Sequence, residues 1–242
     1  MAAGPSLGTI ELVMGPMFGG KTETLLKLAR QARLAGIGAL LVKHSADRRY
    51  HAEAIATHAG DRQATVLGGG PHGFGALEVV TAGRLGAVAP PPWVGFVGVD
   101  EGQFFPDLVE ACEAWAAAGL RVVVAALDGD ADRRPFGAVC ELVPRCERVK
   151  KLNGVCMGCR RASAFSFRLG GPPAAPARGA VDVGGAEKYK GVCRACHAAE
   201  SAAAKAPEGP AAAPAAESAA VEAPEGPAAA PAAAPAAAPA PG

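Results

Sequence analysis

Three groups of residues in this chain could do chemistry. The first is Gly15-Pro16-Met17-Phe18-Gly19-Gly20-Lys21-Thr22, which satisfies G-x-x-x-x-G-K-[ST]. The glycines let the backbone turn successive N–H groups toward a phosphate, the lysine reaches the outer phosphates, and the threonine hydroxyl can ligate Mg²⁺. A helix beginning near Lys21 adds its positive end to the same point. The loop is therefore read as the holder of ATP. The second group is Asp100-Glu101, which closes an apolar run. An aspartate there can hold the magnesium shell, and a carboxylate beside the γ-phosphate can accept the proton of an attacking hydroxyl. That hydroxyl can belong to an alcohol or to water, so the pair supports both a kinase and a hydrolase. The third group is Cys156-x-x-Cys159 and Cys193-x-x-Cys196. Four thiolates in two such pairs close a structural Zn²⁺ site and leave no open position for catalysis. His197 adds nothing to a shell that four sulfurs complete, and Cys112, Cys140 and Cys146 are read as packing residues.

A scaffold has to bring these groups together. Residues 9–14 are rich in β-formers and run straight into Gly15, so they read as a buried strand; residues 22–35 carry Leu25, Leu26, Leu28 and Ala29 on one helical face. A second strand over 39–43 completes a βαβ unit and predicts a parallel sheet. Residues 93–100 and 121–127 read as further buried strands, each followed by an acidic residue, with a helix over 105–118 between them. Val79-Val80 suggests a short strand and residues 81–87 a helix. Ligands of open parallel sheets bind outside the carboxyl ends of the strands, so the loops after Met14, Val99 and Leu127 should converge, with the Asp100 strand expected beside the loop strand.

From about Val143 the pattern changes to short segments around the paired cysteines, and the boundary of a second module is drawn at 144. Its interior contains Gly-Pro-rich residues 170–178 and then Gly184-Gly185, a loop clamped at its base by zinc and suited to act as a lid that excludes water. Residues 201–242 are almost entirely Ala, Pro, Glu and Gly, cannot bury enough apolar surface to offset chain entropy, and are read as a disordered tail. The reading is thus an α/β protein with three parts: a nucleotide-binding kinase domain over 1–143, a zinc-binding module over 144–200, and the tail. Lys and Arg number 24 against 23 Asp and Glu, which gives no electrostatic footprint for nucleic acid. No basic leader precedes an apolar run and no apolar stretch is long enough for a membrane span, so a cytoplasmic location and a small soluble substrate are expected.

Taken together, residues 15–21, Asp47 and Arg49, the run Asp100-Glu101-Gly102-Gln103-Phe104-Phe105-Pro106-Asp107, residues 125–129, Arg134-Pro135-Phe136-Gly137, both cysteine pairs and residues 184–189 resemble the cytosolic type II thymidine kinase family. The resemblance runs in order from about Gly8 to Cys196. It implies transfer of the ATP γ-phosphoryl group to the 5′-hydroxyl of thymidine, and of deoxyuridine, in salvage of DNA precursors, with Mg²⁺ at the phosphates. It implies Glu101 as general base and Asp100 as the magnesium-site acid. Asp47, Arg49 and Gln103 fall on the nucleotide side. Met17, Phe104, Leu127 and Phe136 fall around the base, and Val183, Gly184, Gly185 and Tyr189 in a lasso loop whose backbone reads the pyrimidine. It further implies a homotetramer inhibited by thymidine triphosphate. One departure stands out: the sequence has Asp130-Ala131-Asp132-Arg133 where many relatives carry Thr-Phe-Gln-Arg. Ala131 removes an aromatic contact worth ~1 to 3 kcal/mol if buried, which Phe136 could compensate.

Overall fold

The computed structural model describes residues 7–45, 54–56, 62–64, 75–170 and 184–204. Its elements in chain order are β1 (Thr9–Met14), α1 (Lys21–Leu34), β2 (Gly38–His44), β3 (Ala54–Ala56), β4 (Arg62–Ala64), β5 (Leu77–Ala82), β6 (Val94–Val99), α2 (Leu108–Ala117), β7 (Arg121–Ala126), α3 (Val139–Leu142), β8 (Arg148–Lys151), β9 (Gly154–Val155), β10 (Ala162–Ser163), β11 (Phe165–Arg168), β12 (Tyr189–Val192) and α4 (Arg194–Ala203). Six strands form one sheet in the order β5-β2-β6-β7-β1-β8, every pairing parallel.

Both faces of that sheet are covered, which explains why its inner strands read as nearly continuous apolar runs. Along β7, Val122, Val124 and Ala126 enter one core with Leu108, Cys112 and Trp115 of α2 and Val139 and Leu142 of α3. Val123 and Ala125 point the other way, into a core with Leu25, Leu26, Ala29 and Ala32 of α1. In β6 the pairing with β2 shifts register at Gly38, so that Val94 and Phe96 face consecutive β2 residues and Gly95 is the extra one. The bulge changes the side-chain parity and lets Val94 and Val97 enter the same core.

Several expectations are corrected. The Asp100 strand does not adjoin the glycine-loop strand, because β7 lies between β6 and β1. Residues 81–82 continue β5 in register with Lys43 and His44, and only residues 85–87 form a short 3₁₀ turn, so no helix spans 81–87. The β-branched Val79, Val80 and Thr81 fit a pleated edge better than a helical turn. The sheet also takes in residues past the boundary at 144, since β8 pairs with β1 from Glu11↔Arg148 to Met14↔Lys151. At the other end α4 continues through Ala203, three residues into the segment read as tail. The described residues 7–204 belong to one compact unit.

Candidate functional site

The glycine-rich loop leaves β1 and delivers the chain to α1. Gly15 adopts φ +147, and a Cβ there would lie 2.5 Å from the Leu152 carbonyl oxygen, so only glycine lets the chain turn against the residue that follows β8. Phe18 and Glu101 both hold left-handed backbone conformations without being glycine, at φ 62 and φ 54. Such conformations cost of order 1 kcal/mol or more each and persist only where the surroundings enforce them. Both lie where the sequence places phosphate chemistry.

Although β7 separates their strands, the glycine loop and the acidic strand end meet. The Thr22 hydroxyl at the start of α1 donates to Asp100 Oδ1 at 3.0 Å, and Lys21 Nζ donates to the Pro16 carbonyl at 2.8 Å. Asp100 is buried, and its two-carbon reach together with the position of α1 across the sheet bridges the intervening strand. Beside it, Gln103 is buried and works in two directions. Its Nε2 donates to Glu101 Oε2 at 2.5 Å, and its Oε1 accepts from the Leu127 backbone N–H at 2.9 Å. Glu101 is therefore oriented by an amide that is itself anchored to the end of β7. Farther along, Phe136 meets Phe104 edge-on at 5.7 Å, Phe104 lies 5.6 Å from the His44 ring, and His44 packs on Phe105 at 4.7 Å.

The cysteine-rich segment folds as two short antiparallel pairs, β9 with β10 and β11 with β12, followed by α4. The Sγ atoms of Cys156, Cys159, Cys193 and Cys196 all lie within 4.8 Å of one another, with Cys159 and Cys193 at 3.6 Å. A tetrahedral zinc at ~2.3 Å from each sulfur requires sulfur–sulfur separations of roughly 3.8 Å, so the four fit the ion. The thiols are not alike. Burial would raise the Cys156 pKa, but N–H groups of Cys193, Cys159 and Gly158 outweigh it and push that thiol down to about 6. Hydrogen bonding with Cys159, Cys193 and Cys156 pushes Cys196 up to about 12. A bound cation is what would allow all four to ionise together.

This module touches the glycine loop directly. Ser166 of β11, buried, accepts the Met17 N–H at 3.0 Å. Gly154 approaches the Phe18 carbonyl so closely that a Cβ would stand 2.9 Å from its oxygen. At the far end of the β11–β12 hairpin, Tyr189 pairs with Arg168. Its N–H donates to the Gly185 carbonyl at 3.0 Å, and the Gly185 N–H donates to Glu187 Oε1 at 2.7 Å.

A family model described as thymidine kinase matches residues 8–197. The chain belongs to the thymidine kinase family. Cytosolic thymidine kinase of Gallus gallus is 42% identical over 190 residues, covering 78% of this chain and 77% of that protein. Its counterpart in Homo sapiens is 42% identical over 191 residues, covering 78% and 73%. Thymidine kinase of Myxoma virus (strain Lausanne) is 40% identical over 190 residues, covering 78% and 96%. Every site residue expected from the sequence falls inside the matched span, and the segment after residue 197 falls outside it.

Within this thymidine kinase family member, Thr22 meets Asp100, Glu101 meets Gln103, Gln103 meets Leu127, and Phe104 meets Phe136, while the four cysteines cluster. Gly184, Gly185 and Tyr189 occupy the described end of the β11–β12 hairpin. Asp47, Arg49 and Val183 lie outside the described residues. Sequence reasoning missed Ser166, whose bond to Met17 spans 149 positions and has no local signature. It also missed the ion pair of Lys151 with Asp128 Oδ2 at 2.5 Å, which ties the ends of β8 and β7. His197 is buried, with its ring nitrogens toward Ala131 and Ser201 and not toward the four sulfurs, whereas Cys140 is exposed and does not fit the packing role expected of it. Cys112 and Cys146 do pack, and burial raises both thiols, Cys146 to about 11.

Proposed function

We propose that this protein transfers the γ-phosphoryl group of ATP to the 5′-hydroxyl of thymidine, and of deoxyuridine, feeding salvage of pyrimidine deoxynucleotides. The observation that carries the reading is the junction of two sequence motifs 78 positions apart, Thr22 Oγ1 to Asp100 Oδ1 at 3.0 Å, immediately beside Glu101. The family membership and the printed names of the relatives, thymidine kinases all three, supply the acceptor.

In the proposed reaction the glycine loop, residues 15–20, cradles the phosphates with its N–H groups, and Lys21 offers its charge to the outer ones. Thr22 Oγ1 and Asp100 Oδ1 form a pair of hard oxygen donors suited to Mg²⁺, which would neutralise charge on the phosphates. Glu101, its Oε2 held by Gln103, takes the proton of the 5′-hydroxyl as that oxygen bonds to the γ-phosphorus and the bond to the β-phosphate oxygen breaks. Asp47 and Arg49 belong with the nucleotide side of this proposal. Met17, Phe104, Leu127 and Phe136 line the base side in this proposal, and Val183, Gly184, Gly185 and Tyr189 belong with the acceptor, where covering it would exclude water. The four cysteines would hold Zn²⁺ as a closed structural site. A homotetramer and a cytoplasmic location belong to the same proposal; among the described residues no helix is long and apolar enough to cross a membrane.

The test is the dependence of ATP turnover on added nucleoside. ADP release that rises with thymidine or deoxyuridine and stays at background with purine nucleosides supports the proposal. Turnover that ignores pyrimidine nucleosides, or that responds to DNA instead, contradicts it.

A further inference from the structure

The loop that follows β7 lies at the carboxyl end of the sheet, where ligands of parallel sheets bind. Its first residue is fixed by Gln103, through the Leu127 N–H. Within the loop, Asp130 Oδ1 accepts the N–H groups of Asp132 and Arg134 at 2.9 and 2.8 Å, and Gly129 bridges Pro135. The turn is thus internally braced, but those bonds do not attach it to anything else. Asp128 at its start is ion-paired with Lys151, and farther along, at residues 131 and 133, the contacts come from the cysteine-rich module. His197, one residue after Cys196 and 5% exposed, places Nε2 3.0 Å from the Ala131 carbonyl oxygen, and Ser201 Oγ lies 3.3 Å from its Nδ1.

The chemistry assigns the protons. A carbonyl oxygen only accepts, so Nε2 carries the hydrogen; in the neutral ring Nδ1 is then the acceptor and the Ser201 hydroxyl the donor. The ring is held edge-on by Phe167 at 5.3 Å and Phe165 at 6.0 Å, so it cannot rotate without disturbing both. A second contact runs in parallel: Arg133, in a left-handed conformation at φ 64, lays its guanidinium over Phe165 at 5.7 Å.

We propose that His197 is a positioning residue for the acceptor: oriented by Ser201 and by Phe165 and Phe167, it holds the Ala131 carbonyl and so sets where residues 128–135 stand beside the nucleoside. The inference rests on the acceptor reading above. It gives a role to a histidine that lies beside the cysteine cluster and whose ring nitrogens face Ala131 and Ser201. Ala131 has no side chain long enough to reach the module, so its contact there is made by its backbone carbonyl.

The experiment uses the full zinc-loaded chain and three variants. His197→Phe keeps an aromatic ring between Phe165 and Phe167 and removes the N–H donor; His197→Gln restores a donor at similar reach; Ser201→Ala removes only the hydroxyl that orients the ring. His197→Phe is expected to raise KM for thymidine about tenfold, as loss of one buried hydrogen bond with an orphaned acceptor does, and Ser201→Ala about threefold. KM for ATP and zinc content should stay at wild-type values, and His197→Gln should recover most of the loss. Amide hydrogen exchange at residues 130–134, measured without nucleoside, should accelerate in His197→Phe and return toward wild type in His197→Gln. Unchanged thymidine KM and unchanged exchange overturn the proposal, as does an equal rise in both KM values. Should His197→Phe not fold, Ser201→Ala decides on the same two readouts. Should the wild-type chain phosphorylate no thymidine, the acceptor reading fails separately, and exchange alone upholds or overturns the tether.

Discussion

The parallel sheet and the cysteine-rich module both deliver residues to the same site, and they hold them by different physical means. In the sheet, β1, β2, β6 and β7 are buried on both faces, and the fully buried side chains Leu12, Leu25, Leu40, Leu41 and Phe96 anchor the strands whose ends carry Gly15 and Asp100. Order there comes from apolar burial. The module's strands are two to four residues long, and among its described residues the fully buried side chains are few: Cys156, Ser163 and Val192. Order there comes from the cysteine cluster and from polar contacts with the sheet unit, Ser166 to Met17 and His197 to Ala131. A small apolar store needs a metal or cross-links to stay folded. The contrast teaches that the glycine loop and Asp100 are built on a robust element and residues 184–203 on a conditional one.

The sharpest way to break that contrast is Cys156→Ser. Metal binding in closed sulfur sites is worth on the order of 10 kcal/mol, so loss of one ligand should abolish zinc binding and loosen residues 154–203 while the sheet keeps its melting transition. Retained zinc, or a sheet that melts along with the module, would show that the two regions are not held separately. Next in size is Glu101→Ala, expected to lower kcat by about a thousandfold with ATP affinity retained, in line with loss of a general base. Equilibrium ATP binding measured alongside turnover checks both halves, and activity within about tenfold of wild type removes Glu101 from that role. Leu25→Ala should do the reverse of Cys156→Ser, lowering stability by about 2 to 5 kcal/mol as read from urea unfolding while zinc stays bound.

The smallest effect concerns Asp107, which lies at the start of α2. Burial favours its protonated form, but the N–H groups of Gly86 and Leu85, at 2.9 and 3.0 Å, and the nearby Arg84 outweigh it and hold the carboxyl below 3.8. A depressed folded-state pKa contributes stability that is complete above the unfolded value and is lost as pH falls from there through the folded one. Asp107→Asn should therefore cost about 1 kcal/mol near neutral pH and almost nothing well below pH 4, read as urea midpoints across that range. An equal cost at every pH would mean that the carboxylate charge is not what matters.

Much of the site was legible in the sequence because its signals are local. The spacing of residues 15–22 demands a loop between strand and helix, and two C-x-x-C pairs predict that the four thiols meet whatever lies between them. The strand order was not legible: nothing in residues 94–101 announces that β7 will lie between β6 and β1, because neighbours in a sheet are chosen by packing over long separations. The same holds for Ser166, an ordinary strand serine until β11 is set against Met17. Helix α4 escaped notice for another reason. Its alanines run without a break into the Ala/Pro-rich segment, and only the anchoring of Cys196 and His197 shows that residues 194–203 belong to the fold. Ala131 was conspicuous as a missing side chain, whereas its role is played by its carbonyl, which no side-chain pattern encodes.

The most direct test of the whole account is the product formed when the purified chain is given ATP, Mg²⁺ and each common deoxynucleoside in turn. Formation of 5′-monophosphates from thymidine and deoxyuridine, and from neither purine deoxynucleoside, is the predicted result. ATP consumed with no phosphorylated pyrimidine nucleoside, or purines phosphorylated as readily as thymidine, would contradict it.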